Sequence, residues 1–155
     1  IVTAPAAKDE TDLELALGRA LAAEPSSIVI AAALGGRIDH LLANVLLLAR
    51  PDLREREVLI ADGPEPVRLL RGAEGEEQAA APSALEVHGA PGDLLSLLPL
   101  RGDAEGVSTE GLLYPLADET LHAGRGRGVS NVLVGSAARV ALRCGMLLVT
   151  HMQRK

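Results

Sequence analysis

Apolar positions along this chain change their period near residue 56. Before that point Leu13, Ala16, Leu17, Ala20 and Leu21 recur at helical spacing. Thr11 and Glu14 match a capping box, which predicts a helix opening at Thr11, and Pro25 stops it. Residues 27–34 form a continuous apolar run, the pattern of a parallel strand covered on both faces. A Gly35-Gly36 turn follows. Helical spacing returns from Arg37 to Arg50 and ends at Pro51. Helix, strand, helix is part of a doubly wound α/β layer.

After Glu57 short β-type runs alternate with Gly, Pro and Asp turns. The runs are 57–61, 67–71, 84–88, 94–98, 112–116, 129–134, 139–142 and 146–151. Such spacing predicts a β-sandwich or barrel. The polar, Ala-rich stretch from Gly72 to Pro82 reads as a mobile hairpin loop. The expected fold class is therefore α/β plus all-β. A partial Rossmann-like three-layer domain would occupy 1–56, and a β-sandwich or barrel domain 57–155.

Composition narrows the function classes. Of 155 residues, 48% are hydrophobic, ample for a core, but there is no Phe or Trp and one tyrosine, Tyr114, so the core is aliphatic. A net charge of −6 argues against non-specific nucleic-acid binding, which needs clustered cations. No apolar run is long enough to span a membrane as a helix. The single cysteine, Cys144, allows no internal disulfide, which makes a reducing cytoplasm the default. Cys144 itself reads as a small buried hydrophobe. Ile1 is no initiator methionine and starts no signal pattern.

Four stretches can carry chemistry. Asp9 and Asp12 lie three apart at the first helix N-terminus. Hard oxygens at that spacing can hold Mg²⁺ with help from a substrate phosphate. They can equally complement the helix dipole, and on residue chemistry alone that second reading is the stronger. In GGRIDHLLANVLLL, Gly35, Gly36, Arg37, Asp39, His40 and Asn44 interrupt an apolar helix start. Arg37, His40 and Asn44 share one face, and strand, glycine turn and helix suit a phosphate. A solvated stripe is an equal alternative. In GRGVSN, Ser130 and Asn131 offer a hydroxyl and an amide to a polar heterocycle, though a plain turn explains them first. Tyr114 can stack on a planar ligand or be an ordinary strand residue. The 92–100 stretch looks structural, with no catalytic role for Asp93. His88, His122 and His151 lack zinc-ligand spacing, and there is no Walker A or Gly-x-Ser-x-Gly motif.

The order of these stretches is more specific than any one of them. KDETDLELAL, GGRIDHLLANVLLL, GDLLSLLPL, GVSTEGLLYPL and GVSN together closely resemble the thiamine pyrophosphokinase family, from Lys8 to about Val149. That resemblance implies an α/β nucleotide domain joined to a β-sandwich. The family's reaction transfers diphosphate from ATP to the hydroxyethyl oxygen of thiamine, giving thiamine diphosphate and AMP. It implies a homodimer, with thiamine held between the β domain of one subunit and the α/β domain of the other. Asp9 and Asp12 would stand at the Mg²⁺-phosphate group. Gly35, Gly36, Arg37, Asp39, His40 and Asn44 would face the nucleotide, and Ser130, Asn131 and Tyr114 the thiamine.

One departure from the family is plain. Its acidic Gly-Asp-x-Asp-Ser motif has no counterpart here. This implies either a fragment of a longer protein or a short form lacking part of the metal site. The expected mechanism is positioning and charge neutralisation. Asp12 or Asp39 would accept the alcohol proton and Arg37 would offset phosphoryl charge. Two alternatives stand beside it: a non-catalytic thiamine-binding module, and a fragment that dimerises and binds nothing.

Overall fold

The computed structural model describes residues 8–63, 65–73 and 81–154. Helix α1 covers Asp12–Leu21. Its capping box forms in full: the Glu14 amide donates to the Thr11 hydroxyl at 3.2 Å, and the Thr11 amide to the Glu14 carboxylate at 2.8 Å. Strand β1 covers Ser27–Ala31 and helix α2 Ile38–Leu47. The apolar run past Ala31 does not extend the strand, because Ala32 turns to φ +55° and the chain leaves for the Gly35-Gly36 turn. Arg37 is the N-cap of α2 rather than its first turn.

The β elements are β2 (Glu57–Ala61), β3 (Val67–Arg71), β4 (Ser83–His88), β5 (Leu94–Pro99), β6 (Ala104–Glu110), β7 (Glu119–Leu121), β8 (Asn131–Val132), β9 (Ala137–Leu142) and β10 (Met146–Met152). Six of the eight expected runs are strands close to their expected limits. The 112–116 run is not: it contributes a lone bridge, Leu112 to Leu133, and then turns. Only Asn131–Val132 of the 129–134 run is strand. Strands β6 and β7 were not expected. Their sequences are polar, and β6 carries a bulge at Gly106, whose φ of +67° lets Gly106 and Val107 both turn inward and breaks the alternation. Most of the Gly72–Pro82 loop expectation falls on 74–80, outside the described residues.

Two sheets result, ordered β1-β2-β3-β10-β5-β8 and β4-β9-β6-β7. β1 and β2 are parallel and every other pair is antiparallel. The described residues are thus mostly sheet with two α-helices. One core lies between the sheets, where Leu95, Leu97, Leu147 and Val149 meet Val87, Val107, Leu121, Val140 and Leu142. A second lies under the helices, where Leu17 and Leu48 meet Ile30, Ile60 and Val67. Each fully buried Leu or Val contributes about 1.5–3 kcal/mol. β3 and β10 serve both cores: Leu70 and Leu147 face the small sheet, Leu69 and Leu148 the helices.

Among the described residues β1 is at one edge of the large sheet, paired with β2, and its Val29 is 65% exposed. At the other edge stands β8. Cys144 is half-buried rather than buried, because it sits in the β9–β10 turn, bridging to Ala73 and Glu105. No helix among the described residues is long and apolar enough to cross a membrane.

Candidate functional site

Both helix N-termini converge at the C-terminal end of β1. They frame an open groove of about 380 Å³, lined by Lys8, Glu10, Thr11, Asp12, Leu13, His40 and Asn44. Convergent N-termini bring partial positive charge to one spot. The Asp12 carboxylate projects into solvent and is paired with the Lys8 ammonium. That hydrogen bond, more than any other cause, holds its pKa below the usual carboxylate value. Asn44 donates to the Ala33 carbonyl at 2.8 Å, tying α2 to the loop after β1. Gly35 and Gly36 have φ of +117° and +67° with open space where a side chain would begin. Conformation, not crowding, demands glycine there.

Arg37 and Asp39 do not line the groove. They are bound to each other: Arg37 Nε donates to Asp39 Oδ1 at 3.1 Å, and a terminal nitrogen to Oδ2 at 2.5 Å. Asp39 Oδ1 also takes the His40 amide at 2.9 Å, so this carboxylate occupies the α2 N-terminus. Its pKa is held down, first by Arg37. The shared face of Arg37, His40 and Asn44 is therefore only partly realised, His40 and Asn44 entering the groove without Arg37. Asp9 lies outside its lining. Among the described residues, no three His, Cys, Asp or Glu stand together as a metal-ligand group. Asp62, not singled out from the sequence, directly follows β2 and takes the Leu34 amide on its carboxylate at 2.7 Å. Its signal was a lone acid closing the apolar run 57–61.

On the other sheet edge the structure joins Tyr114, Ser130 and Asn131. Asn131, 9% exposed, accepts the Tyr114 amide at 3.0 Å and the Val132 amide at 2.9 Å, and donates to the Tyr114 carbonyl at 2.7 Å. Tyr114 itself is 59% exposed and not in a strand. Ser130 is exposed at φ +59°. Behind them the 92–100 stretch holds a polar pair that the sequence did not bring together. Asp93 Oδ2 and His151 Nε2 lie 2.9 Å apart, both buried. Asp93 also takes the Ala90 and Arg154 amides, and these bonds, with His151, hold its pKa low.

Comparison with known proteins matches two regions of the chain to one family. Residues 1–60 match the model of the thiamin pyrophosphokinase catalytic domain, and 84–147 that of the thiamin pyrophosphokinase vitamin B1 binding domain. The chain belongs to the thiamine pyrophosphokinase family. A Bacillus subtilis thiamine pyrophosphokinase is 27% identical over 144 residues, covering 93% of this chain and 63% of that protein. The crystal structure of thiamine pyrophosphokinase from Bacillus subtilis superposes with a TM-score of 0.82 at 26% identity, over 96% of this chain and 66% of that one. That of a family protein from Enterococcus faecalis gives 0.78 at 29%, over 99% and 68%. This chain thus spans less than two thirds of the curated relative's length.

Proposed function

We propose that this family member serves the transfer of diphosphate from ATP to thiamine, yielding thiamine diphosphate and AMP. The observation that carries the reading is the groove between the N-terminus of α1 and the first two turns of α2, lined by Lys8, Glu10, Asp12, His40 and Asn44 among others. Such a groove suits a polyphosphate. In this reading 1–56 is the nucleotide-binding part, a portion of a Rossmann-like layer, and 57–155 the thiamine-binding part.

The donor set in the acidic turn fits Mg²⁺, which binds one or two carboxylates and completes its shell with phosphate oxygens and water. Asp9 and Asp12 are the residues that would hold it, and Lys8 on Asp12 already marks that carboxylate as a cation partner. When bound, the ion supplies charge neutralisation on the phosphates. Asp39 accepts three hydrogen bonds and is a poor proton acceptor; it fixes Arg37, whose remaining nitrogen has no partner among the described residues. Asp12 is then the better candidate to take the alcohol proton. Ser130 and Asn131 orient the pyrimidine, with Tyr114 beside it.

The two halves sit at opposite edges of one sheet. Five strand spacings separate β1 from β8, about 24 Å at 4.8 Å each. A phosphate in the groove and a thiamine on the same chain's β8 would stand about that far apart. A second copy would complete each site, which supports a homodimer. Apolar Leu113, Val129 and Val134 are exposed around the β8 edge, as a contact face requires.

The test is AMP and thiamine diphosphate formation from ATP and thiamine. Asp12→Asn lowers turnover by orders of magnitude, and mixing it with an Asn131→Ala chain restores part of the activity. Thiamine binding without AMP release would favour a binding module instead. Near-normal turnover in Asp12→Asn would overturn the metal and proton assignments.

A further inference from the structure

We propose that Ser96 is a positioning residue for the thiamine-side loop, acting through the backbone of Ser130; this rests on the thiamine reading above. Ser130 holds a left-handed backbone at φ +59°, a region that non-glycine residues occupy only when their surroundings impose it. The imposing contact is on β5: the Ser130 amide donates to the Ser96 hydroxyl at 3.0 Å. One residue on, the Leu97 amide donates to the Gly128 carbonyl at 2.9 Å. A side chain on Gly128 would begin 2.4 Å from the Leu97 carbonyl oxygen, so the loop lies directly on this strand. Asn131 then pairs with Leu95.

Ser96 is the one polar residue in the run Leu94 to Leu98. Its neighbours Leu95 and Leu97 are buried in the core between the sheets, while Ser96 is half-buried on the other face. Across the sheet it stands opposite Thr150 of β10, but no hydrogen bond joins the two side chains, so the strand pairing itself does not call for a hydroxyl there. The loop does, because it has a backbone N–H at a position where no ladder carbonyl reaches it. Through Ser130 the hydroxyl sets Asn131, and through Asn131 it sets Tyr114. The three thiamine-side residues are thus linked through that hydroxyl, beside the ladder bonds that tie Gly128 and Asn131 to β5.

Ser96→Thr and Ser96→Val decide the matter, because they have the same shape and differ only in hydroxyl against methyl. Thiamine affinity is measured by calorimetry, and exchange of the Ser130 amide hydrogen by NMR. Relative to the Thr variant, the Val variant is expected to bind thiamine about tenfold more weakly and to exchange the Ser130 amide about tenfold faster. Equal behaviour of the two overturns the proposal. Weaker binding with unchanged exchange overturns it too, since the hydroxyl would then touch the ligand itself. Faster exchange with unchanged affinity equally removes the positioning role. If the unsubstituted chain binds no thiamine, the functional reading fails by itself, and Ser130 exchange alone decides whether Ser96 holds the loop.

Discussion

The Asn131 carboxamide closes on both backbone groups of Tyr114, accepting its N–H at 3.0 Å and donating to its carbonyl at 2.7 Å. A side chain thereby does the work of a neighbouring strand, and the stretch after Leu112 is fixed without becoming β-structure. Replacing Asn131 with Ala leaves these groups unmet and is expected to cost about 1–3 kcal/mol of stability. Asn131→Asp should cost more, because an oxygen would then face the Tyr114 carbonyl. Chemical denaturation of both variants measures this, and a milder effect for Asp would contradict the geometry.

Gly128 offers a sterically sharper case. Gly128→Ala places a methyl 2.4 Å from the backbone oxygen of Leu97, an atom that cannot swing aside. The expected result is separation of the loop from β5, with thiamine affinity lowered at least tenfold. Gly126→Ala, where nothing lies within 4 Å, is the control and should bind almost normally.

Thr11 tests the other half of the molecule. Its hydroxyl caps α1 and Glu14 answers from the helix. Thr11→Ala is expected to cost about 1 kcal/mol. Thr11→Ser should keep most of it. Because Asp12 is the next residue, nucleotide affinity should fall along with the melting temperature in the Ala variant alone.

Asp93 gives a pH dependence of known sign. The Ala90 and Arg154 amides and His151 lower its folded-state pKa beneath its ordinary value of 3.8. A depressed carboxylate adds stability that is present above the unfolded pKa and lost as pH falls through the folded one. Stability should therefore drop below about pH 4. Asp93→Asn should be less stable at neutral pH and show a shallower fall in acid, as followed by thermal melts between pH 2 and 7. An unchanged acid slope would remove Asp93 from the account.

These residues also show what the sequence made legible. The capping box, the two helices and six strands follow from spacing, because each is local. Lys8, Asp12, His40 and Asn44 meet because α1 begins and α2 follows at the same strand end, a meeting that the local spacing of neither helix shows. Partner choice was not legible. Arg37 turns to Asp39 rather than into the groove, and Asp93 finds His151 across 58 positions of sequence. β6 escaped notice since Gly106 spoils its alternation, and Ser96 because a lone hydroxyl in a leucine run reads as an interruption.

β3 and β10 each present one face to the helices and the other to the small sheet. Loosening either core would unseat strands that the other depends on, so the middle of the wide sheet is a plate braced from both faces. Under the proposed reaction the two ligands are held at the far margins of that sheet. Five strand spacings lie between them, so their encounter becomes a matter of assembly, with protein concentration as a natural control on turnover.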